Sequence, residues 1–171
     1  VLVEHLRGNE RVPVQENYRN IVGPGNLGID RQLKDPDGVS RRFSERAVLD
    51  AERKPVPTLA GRILRQLGRD VEEGYIDYSV GSRVEYIPMH EVVAWFDAKD
   101  EAKLKAAFAG KIVLIGGLGE DRDRWVLPVR LIERPEDRFG PRDPEGVLKS
   151  VKLSQPGVVI HLQVLRSHLT G

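Results

Sequence analysis

The sequence predicts an α/β domain, with α+β as the variant, built on one mixed, largely parallel sheet flanked by helices. Three observations predict it. Ile112-Val113-Leu114-Ile115 is apolar on both faces of any strand it forms, as in the middle of a helix-covered sheet. Helical periodicity recurs around residues 58–68, 88–96, 100–108 and 158–169, with short β-branched or aromatic stretches between. The length of 171 residues suits a single domain, spanning 1–171, that needs neither disulfides nor metal to hold together.

Each element has its own local reason. Val1 to Leu6 reads as a short strand or helix edge running into the polar stretch Gly8-Asn9-Glu10. Residues 21–43 read as two strands joined by a loop, the second being Val39-Ser40-Arg41-Arg42-Phe43. Between them, Gly23-Pro24-Gly25-Asn26-Leu27-Gly28 permits close backbone approach. Asp35-Pro36-Asp37-Gly38 is a tight turn, because proline presets φ and glycine tolerates the left-handed region.

Thr58 to Gly68 is a helix with Leu59, Ala60, Ile63, Leu64 and Leu67 on one face. Gly68 stands where it should stop, and Gly61 lowers propensity while allowing close packing. Tyr75-Ile76-Asp77-Tyr78 has strand character. Pro88 opens a helix through Phe96, since proline is tolerated in a first turn. Asp100 to Phe108 is a charged amphipathic helix with Leu104, Ala107 and Phe108 inward. Residues 133–147, with Pro135, Pro141 and Pro144 among many charges, form an exposed excursion. After Pro156-Gly157 comes a last helix, from about Val158 to Leu169, with Val158, Leu162, Leu165 and Leu169 on one face.

Composition narrows the function. Hydrophobic residues are 40% and charged residues 31% of the chain, a globular mixture and not a disordered one. Lys and Arg number 27 against 26 Asp and Glu, giving a net charge of +1. That balance excludes a dedicated nucleic-acid binder, and the basic pair Arg41-Arg42 has Asp35, Asp37 and Glu45 close by in sequence. Cysteine is absent, which excludes thiol chemistry, Cys-ligated zinc and disulfides. The longest apolar run is far short of the ~18 residues that cross a bilayer, so any anchor lies outside this sequence.

The motifs that touch on chemistry are incomplete. Gly116-Gly117-Leu118-Gly119 after an apolar strand is the kind of turn that cradles phosphate. It lacks the full glycine spacing, however, and Glu120 and Asp121 would repel an anion. His90-Glu91-Val92-Val93-Ala94 has Ala94 where the second zinc-binding histidine of a metalloprotease helix belongs, so no metal is implied. His161 falls on the inward stripe of the last helix, either as a ligand or pH-responsive group or as a half-buried, hydrogen-bonded core residue. Asp123 follows the apolar strand and reaches toward the same end of the sheet, unless it caps a turn or helix. Lys111 and Asp77 read as an ion pair or as solvated ends. No nucleophile–base set assembles, so no catalytic residue and no cofactor is expected.

Four stretches, in order, resemble the second type of CHASE domain, the cyclase/histidine-kinase-associated extracellular sensory family. They are Gly25-Asn26-Leu27 with Asp35-Pro36-Asp37-Gly38-Val39-Ser40-Arg41-Arg42; Ile76-Asp77-Tyr78 with Pro88; Phe108-Ala109-Gly110-Lys111-Ile112-Val113-Leu114-Ile115-Gly116; and Pro156-Gly157-Val158-Val159-Ile160-His161. One family segment departs from the pattern. Asp123-Arg124-Trp125-Val126-Leu127-Pro128 has Leu127 where the family has threonine.

The family's domain begins upstream, so the resemblance makes this chain its C-terminal portion, with a sheet incomplete at the N-terminal side. It further implies a bacterial signal-input domain outside the cytoplasmic membrane, in the periplasm. Such a domain answers an unidentified small molecule or other stimulus, and is joined through membrane helices to a cytoplasmic cyclase, kinase or similar output. A homodimer is expected, and nucleic acid is not. Speculative ligand contacts are Asp123, His161, Gly117 and Asp77. The rival readings are a cytoplasmic nucleotide-binding α/β enzyme domain built on Gly116–Gly119 and a dimerisation module without a ligand.

Overall fold

A computed structural model describes residues 1–7, 10–49, 54–70, 73–81, 84–118, 123–132 and 154–170. The excursion expected at 133–147 and the end of the glycine turn at Gly119 lie outside the described residues.

The fold is mixed α/β. β1 (Leu2–Arg7) pairs antiparallel with β2 (Glu10–Val12) and parallel with β3 (Leu27–Ile29), giving a mixed three-stranded sheet in the order β2-β1-β3. Between β2 and β3 lie α1 (Glu16–Val22) and a 3-10 turn at Pro24–Asn26. Three two-stranded antiparallel ladders follow. β4 (Arg42–Ser44) pairs with β7 (Glu73–Tyr75), β5 (Arg46–Val48) with β6 (Pro55–Pro57), and β8 (Arg124–Val126) with β9 (Ser154–Pro156). The remaining helices are α2 (Leu59–Gln66), α3 (Met89–Asp97), α4 (Glu101–Phe108) and α5 (Gly157–Leu169).

α2 shows why sequence and packing agree. Thr58 accepts the Gly61 N–H at 3.1 Å and donates its hydroxyl to the Ser44 carbonyl at 2.8 Å, so one side chain starts the helix and ties it to β4. Gly61 is buried against the Glu45 backbone, where any Cβ would collide with the carbonyl. Gly28 in β3 does the same from the other side, since a Cβ there would stand 2.7 Å from the Leu59 Cα. The helix ends as expected at Gly68, whose φ is 72°. Arg69 N–H reaches the Leu64 carbonyl at 2.9 Å and Gly68 N–H the Arg65 carbonyl at 3.0 Å, the paired bonds of a glycine-closed helix end.

The core gathers around α5. Val159, Ile160, Val164 and Leu165 pack with Ala60 and Leu64 of α2 and with Phe43, Ile76, Leu127, Leu131 and Ile132. Each such aliphatic side chain contributes about 1.5–3 kcal/mol when fully buried. A smaller cluster of Ile29, Leu49 and Val56 lies beside it. Two buried glutamines fasten loops to this core. Gln155 accepts the Leu131 and Ile132 N–H groups at 2.8 and 3.0 Å and donates to the Val129 carbonyl at 2.7 Å. Gln163 of α5 donates to the carbonyls of Asp77 and Val80 at 2.6 and 3.0 Å.

Several expectations fail, each for a physical reason. Ile112–Ile115 forms no strand; among the described residues nothing pairs with it, and Ile112, Val113 and Ile115 are exposed. Only Leu114 and Leu118 reach the core. A run apolar on both faces says that both faces need cover, not that this chain supplies it. Residues 21–43 are not two joined strands, because Ile21 and Val22 end α1 and β3 and β4 enter different ladders. The strand expected at 75–78 stops at Tyr75. On α2, Leu67 lies past the last helical turn and is exposed. α5 buries more than one stripe: Gly157, Val159, Ile160, His161, Gln163, Val164 and Leu165 are buried, while Val158, Leu162 and Leu169 are half-buried. It is enclosed on most sides, as a helix with apolar residues around its circumference should be.

Candidate functional site

The parallel register of β1 and β3 builds a polar cluster that runs from the surface to α5. Glu4 is opposite Ile29, so Asp30 is the first residue past the carboxyl end of β3, its N–H held by the Glu4 carbonyl at 3.0 Å. Its two carboxylate oxygens face two imidazoles. Asp30 Oδ2 is 3.4 Å from His5 Nδ1 on β1, and Oδ1 is 3.3 Å from His161 Nε2 on α5. Side-chain exposure falls from 69% at His5 through 16% at Asp30 to 5% at His161, so the three form a graded path from solvent to the core helix. The carboxyl ends of parallel strands are where open α/β sheets commonly place ligands.

Gln32 completes the cluster. Its Nε2 is 2.9 Å from His161 Nδ1 and 3.2 Å from Nε2. With Nε2–H donated to Asp30, the Nδ1 lone pair is free to accept from the Gln32 amide, which fits a neutral imidazole of that tautomer. Protonating the ring at Nδ1 would set two donors against each other until the Gln32 amide turned its oxygen inward. The Asp30 carboxyl is held below its ordinary 3.8, first by the hydrogen bond from His161, against the opposing effect of burial, with charge attraction from the two histidines adding to it whenever their rings are protonated. The arrangement can hold a negative charge at the sheet edge, and any shift of that charge bears on α5.

The residues singled out in the sequence divide along α5. Asp123 lies at its N-terminal end with φ 57°, a conformation that aspartate tolerates better than most residues. Its carbonyl accepts the Gly157 N–H at 3.0 Å and its carboxylate the Trp125 indole N–H at 2.7 Å. A Cβ on Gly157 would strike that carboxylate, so the glycine is what lets the acid sit against the helix N-terminus. Gly116 packs on Val158, whereas a Cβ on Gly117 would meet nothing within 4 Å. The next described element after this turn is β8 and not a helix.

Asp77 is fastened elsewhere, against the second half of α5. Its N–H donates to Ser167 Oγ at 2.9 Å and its carbonyl accepts from Gln163. Its carboxylate folds back on Ser79, accepting the backbone N–H at 2.8 Å and the hydroxyl at 2.6 Å. Those bonds lower its pKa, the hydroxyl most. Lys111 does not pair with Asp77; its Nζ donates to the Ala106 carbonyl at 2.9 Å and closes the end of α4. His90 and Glu91 are exposed helix residues. The structure therefore brings Asp123 and His161 to one half of α5 and leaves Asp77 in the other.

The Asp-Pro-Asp-Gly turn proves self-contained. Arg41 holds Asp37 with two bonds at 3.0 and 2.8 Å and Asp35 with one at 3.0 Å, while Arg42 Nε holds the other Asp35 oxygen at 2.7 Å. Arg42 first and Arg41 second keep the Asp35 carboxyl below its usual range; at Asp37 the chief cause is Arg41. The turn is joined to β8 by the Ser40 N–H, 3.0 Å from the Val126 carbonyl, and by Lys34, 4.3 Å above the Trp125 ring.

Asp30, Gln32 and His5 were not singled out by sequence. The usable signal was position: Leu27-Gly28-Ile29-Asp30 is a buried strand ending in an acid. Among the described residues no three His, Asp or Glu side chains converge as a metal set would, and no helix is long and apolar enough to cross a membrane.

The chain matches the CHASE2 domain family over residues 1–171, the whole of its length, and it belongs to that family of extracellular sensory domains. The match takes in residues 1–20, before the first of the four resembling stretches, and so includes His5. No curated protein and no solved structure matches the chain.

Proposed function

We propose that this domain is the signal-input module of a bacterial membrane signalling protein, placed outside the cytoplasmic membrane and controlling a cytoplasmic cyclase, kinase or similar output. The observation that carries the reading is family membership across the full chain. The stimulus acts at the His5–Asp30–His161 path. A small molecule bearing a cationic or N–H donor group takes the Asp30 oxygen that now faces exposed His5, and the bond from Asp30 to His161 couples that event to α5. Because α5 is enclosed by α2 and the surrounding loops, it moves as a packed unit, and the rest of the protein reads its position. A ligand shifts such an equilibrium only by its differential affinity for the two arrangements, and Asp30 supplies that difference.

The test is made in the complete native protein, with output activity as the readout. His5 is largely exposed, so His5→Ala should leave melting nearly unchanged while altering the response to stimulus. Asp30→Asn keeps the shape, removes the charge, and should lock output at one level. Wild-type signalling from both variants at normal expression would rule the path out as the input site.

A further inference from the structure

His161 meets a single amide group that reaches both of its ring nitrogens. Gln32 Nε2 is 2.9 Å from Nδ1 and 3.2 Å from Nε2, so the NH2 group lies along the ring edge between them. An amide nitrogen donates and does not accept. Beside a histidine it requires one ring nitrogen with a bare lone pair. Either neutral tautomer has such a nitrogen, and the imidazolium has none. With its oxygen inward, the same amide would accept from a protonated nitrogen and fit the imidazolium instead. The two ends of one side chain thus correspond to two charges on a buried ring.

Among the described residues the Gln32 side chain makes no other hydrogen bond, so no second partner dictates which end faces the ring. Both residues are buried. The charges that meet the ring come from one side, Asp30 at 3.3 Å and, beyond it, His5. α2, packed on α5, holds Arg62 on the Leu27 carbonyl at 3.2 Å and Arg65 on Glu45 at 2.6 Å. β9, Ser-Gln-Pro, carries no titratable side chain, and the Asp123 carboxylate at the start of α5 is held by the Trp125 indole. Two opposed influences therefore act on His161. Asp30 favours the charged ring, and the donor end of Gln32 favours the neutral one.

We infer that Gln32 is a positioning residue, which holds His161 neutral and so leaves Asp30 its negative charge. With the NH2 end inward, the Asp30 oxygen facing His5 remains attractive to a cationic group. With the oxygen inward, His161 is an imidazolium that neutralises Asp30, and that attraction is lost. A proton on His161 and a cation at Asp30 are then rivals, and the amide orientation decides between them. The consequence for signalling rests on the input-site reading proposed above; the charge on the ring does not.

Nitrogen-15 NMR on the histidine-labelled chain tests the inference, with His161 identified through backbone assignment. At neutral pH the wild-type ring should show one protonated and one bare nitrogen. Gln32→Glu presents only acceptors, so its ring should show both nitrogens protonated, and the titration midpoint should lie about one pH unit or more above that of wild type. Gln32→Met, with neither donor nor strong acceptor, should fall between the two. The wild-type spectrum requires no substitution, so the test stands even if a variant fails to fold. A wild-type ring doubly protonated at neutral pH, or a folded Gln32→Glu whose ring titrates as in wild type, would overturn the inference. In the complete native protein Gln32→Glu should lock output as Asp30→Asn does. The expected spectra with normal signalling from both variants would uphold the role of Gln32 and count against the input-site reading alone.

Discussion

Replacing His161 with alanine tests how deeply the polar path is built into the fold. The residue is 4% exposed, so the substitution opens a cavity beneath α5. It also strips a partner from Gln32, itself only 9% exposed, and from Asp30. Cavity formation on this scale costs about 2–4 kcal/mol, and a buried donor left without an acceptor about 1–3 more. Water entering beside Asp30 offsets part of the second cost, leaving a net loss of about 3–5 kcal/mol. For a chain of this length each kcal/mol lowers Tm by about 2–4 °C, so a fall of about 10 °C is expected. The assay is urea unfolding and calorimetry of wild type, His161→Ala, Gln32→Ala and the double variant. Once His161 is gone Gln32 has lost this ring as a partner, so the double variant should be at least ~1 kcal/mol more stable than the single losses add up to. A Tm within about 2 °C of wild type, or strict additivity, would refute the reasoning. The expected loss is also why His5 and Asp30, and not His161, carry the signalling test.

Other substitutions probe separate steps of the account. Gly61→Ala would add about 1 kcal/mol of helix propensity, but its methyl meets the Glu45 main chain, which cannot swing aside, at a cost of about 1–3 kcal/mol. Net destabilisation in urea is expected, and a stabilised variant would show that α2 does not sit on that backbone. Asp30 titrates below 3.8 in the folded state, so its contribution is complete above that value and disappears as pH falls through the folded one. The urea-midpoint gap between wild type and Asp30→Asn should therefore be widest near neutrality and narrow once the pH drops below 3.8; a gap that does not narrow there would contradict the bond from His161 to an ionised Asp30. At Asp123, asparagine tolerates the positive φ and keeps an acceptor for Trp125, whereas alanine does neither. Asp123→Ala should cost about 1–2 kcal/mol and Asp123→Asn clearly less, and equal losses would mean that the conformation at this position is not what matters.

The sequence was most legible where a local rule and the tertiary fold asked for the same thing. Thr58 and Gly68 bound α2, Pro88 and Asp100 stand just before α3 and α4, and the 35–38 turn forms as its residues require. It was least legible where the requirement was tertiary. Ile112–Ile115 carries a pattern for burial on two sides, and a pattern cannot say from where the cover comes. His161 could be placed inward by periodicity, but its partners Asp30 and Gln32 are about 130 residues away in sequence. No spacing rule connects them; only the parallel pairing of β1 with β3 and the docking of α5 do. Asp77 and Asp123 both stood among the speculative ligand contacts, with no local signal to set them apart. The structure separates them by which half of α5 each one holds.

Location is the claim on which the functional reading turns, and membrane topology of the complete native protein tests it most directly. A reporter enzyme active only outside the cytoplasm is fused after Asp100 and, separately, after Thr170. The account predicts activity from both fusions, with a cytoplasm-only reporter silent at the same two positions. The reverse pattern at both would place the domain inside the cell and contradict the account.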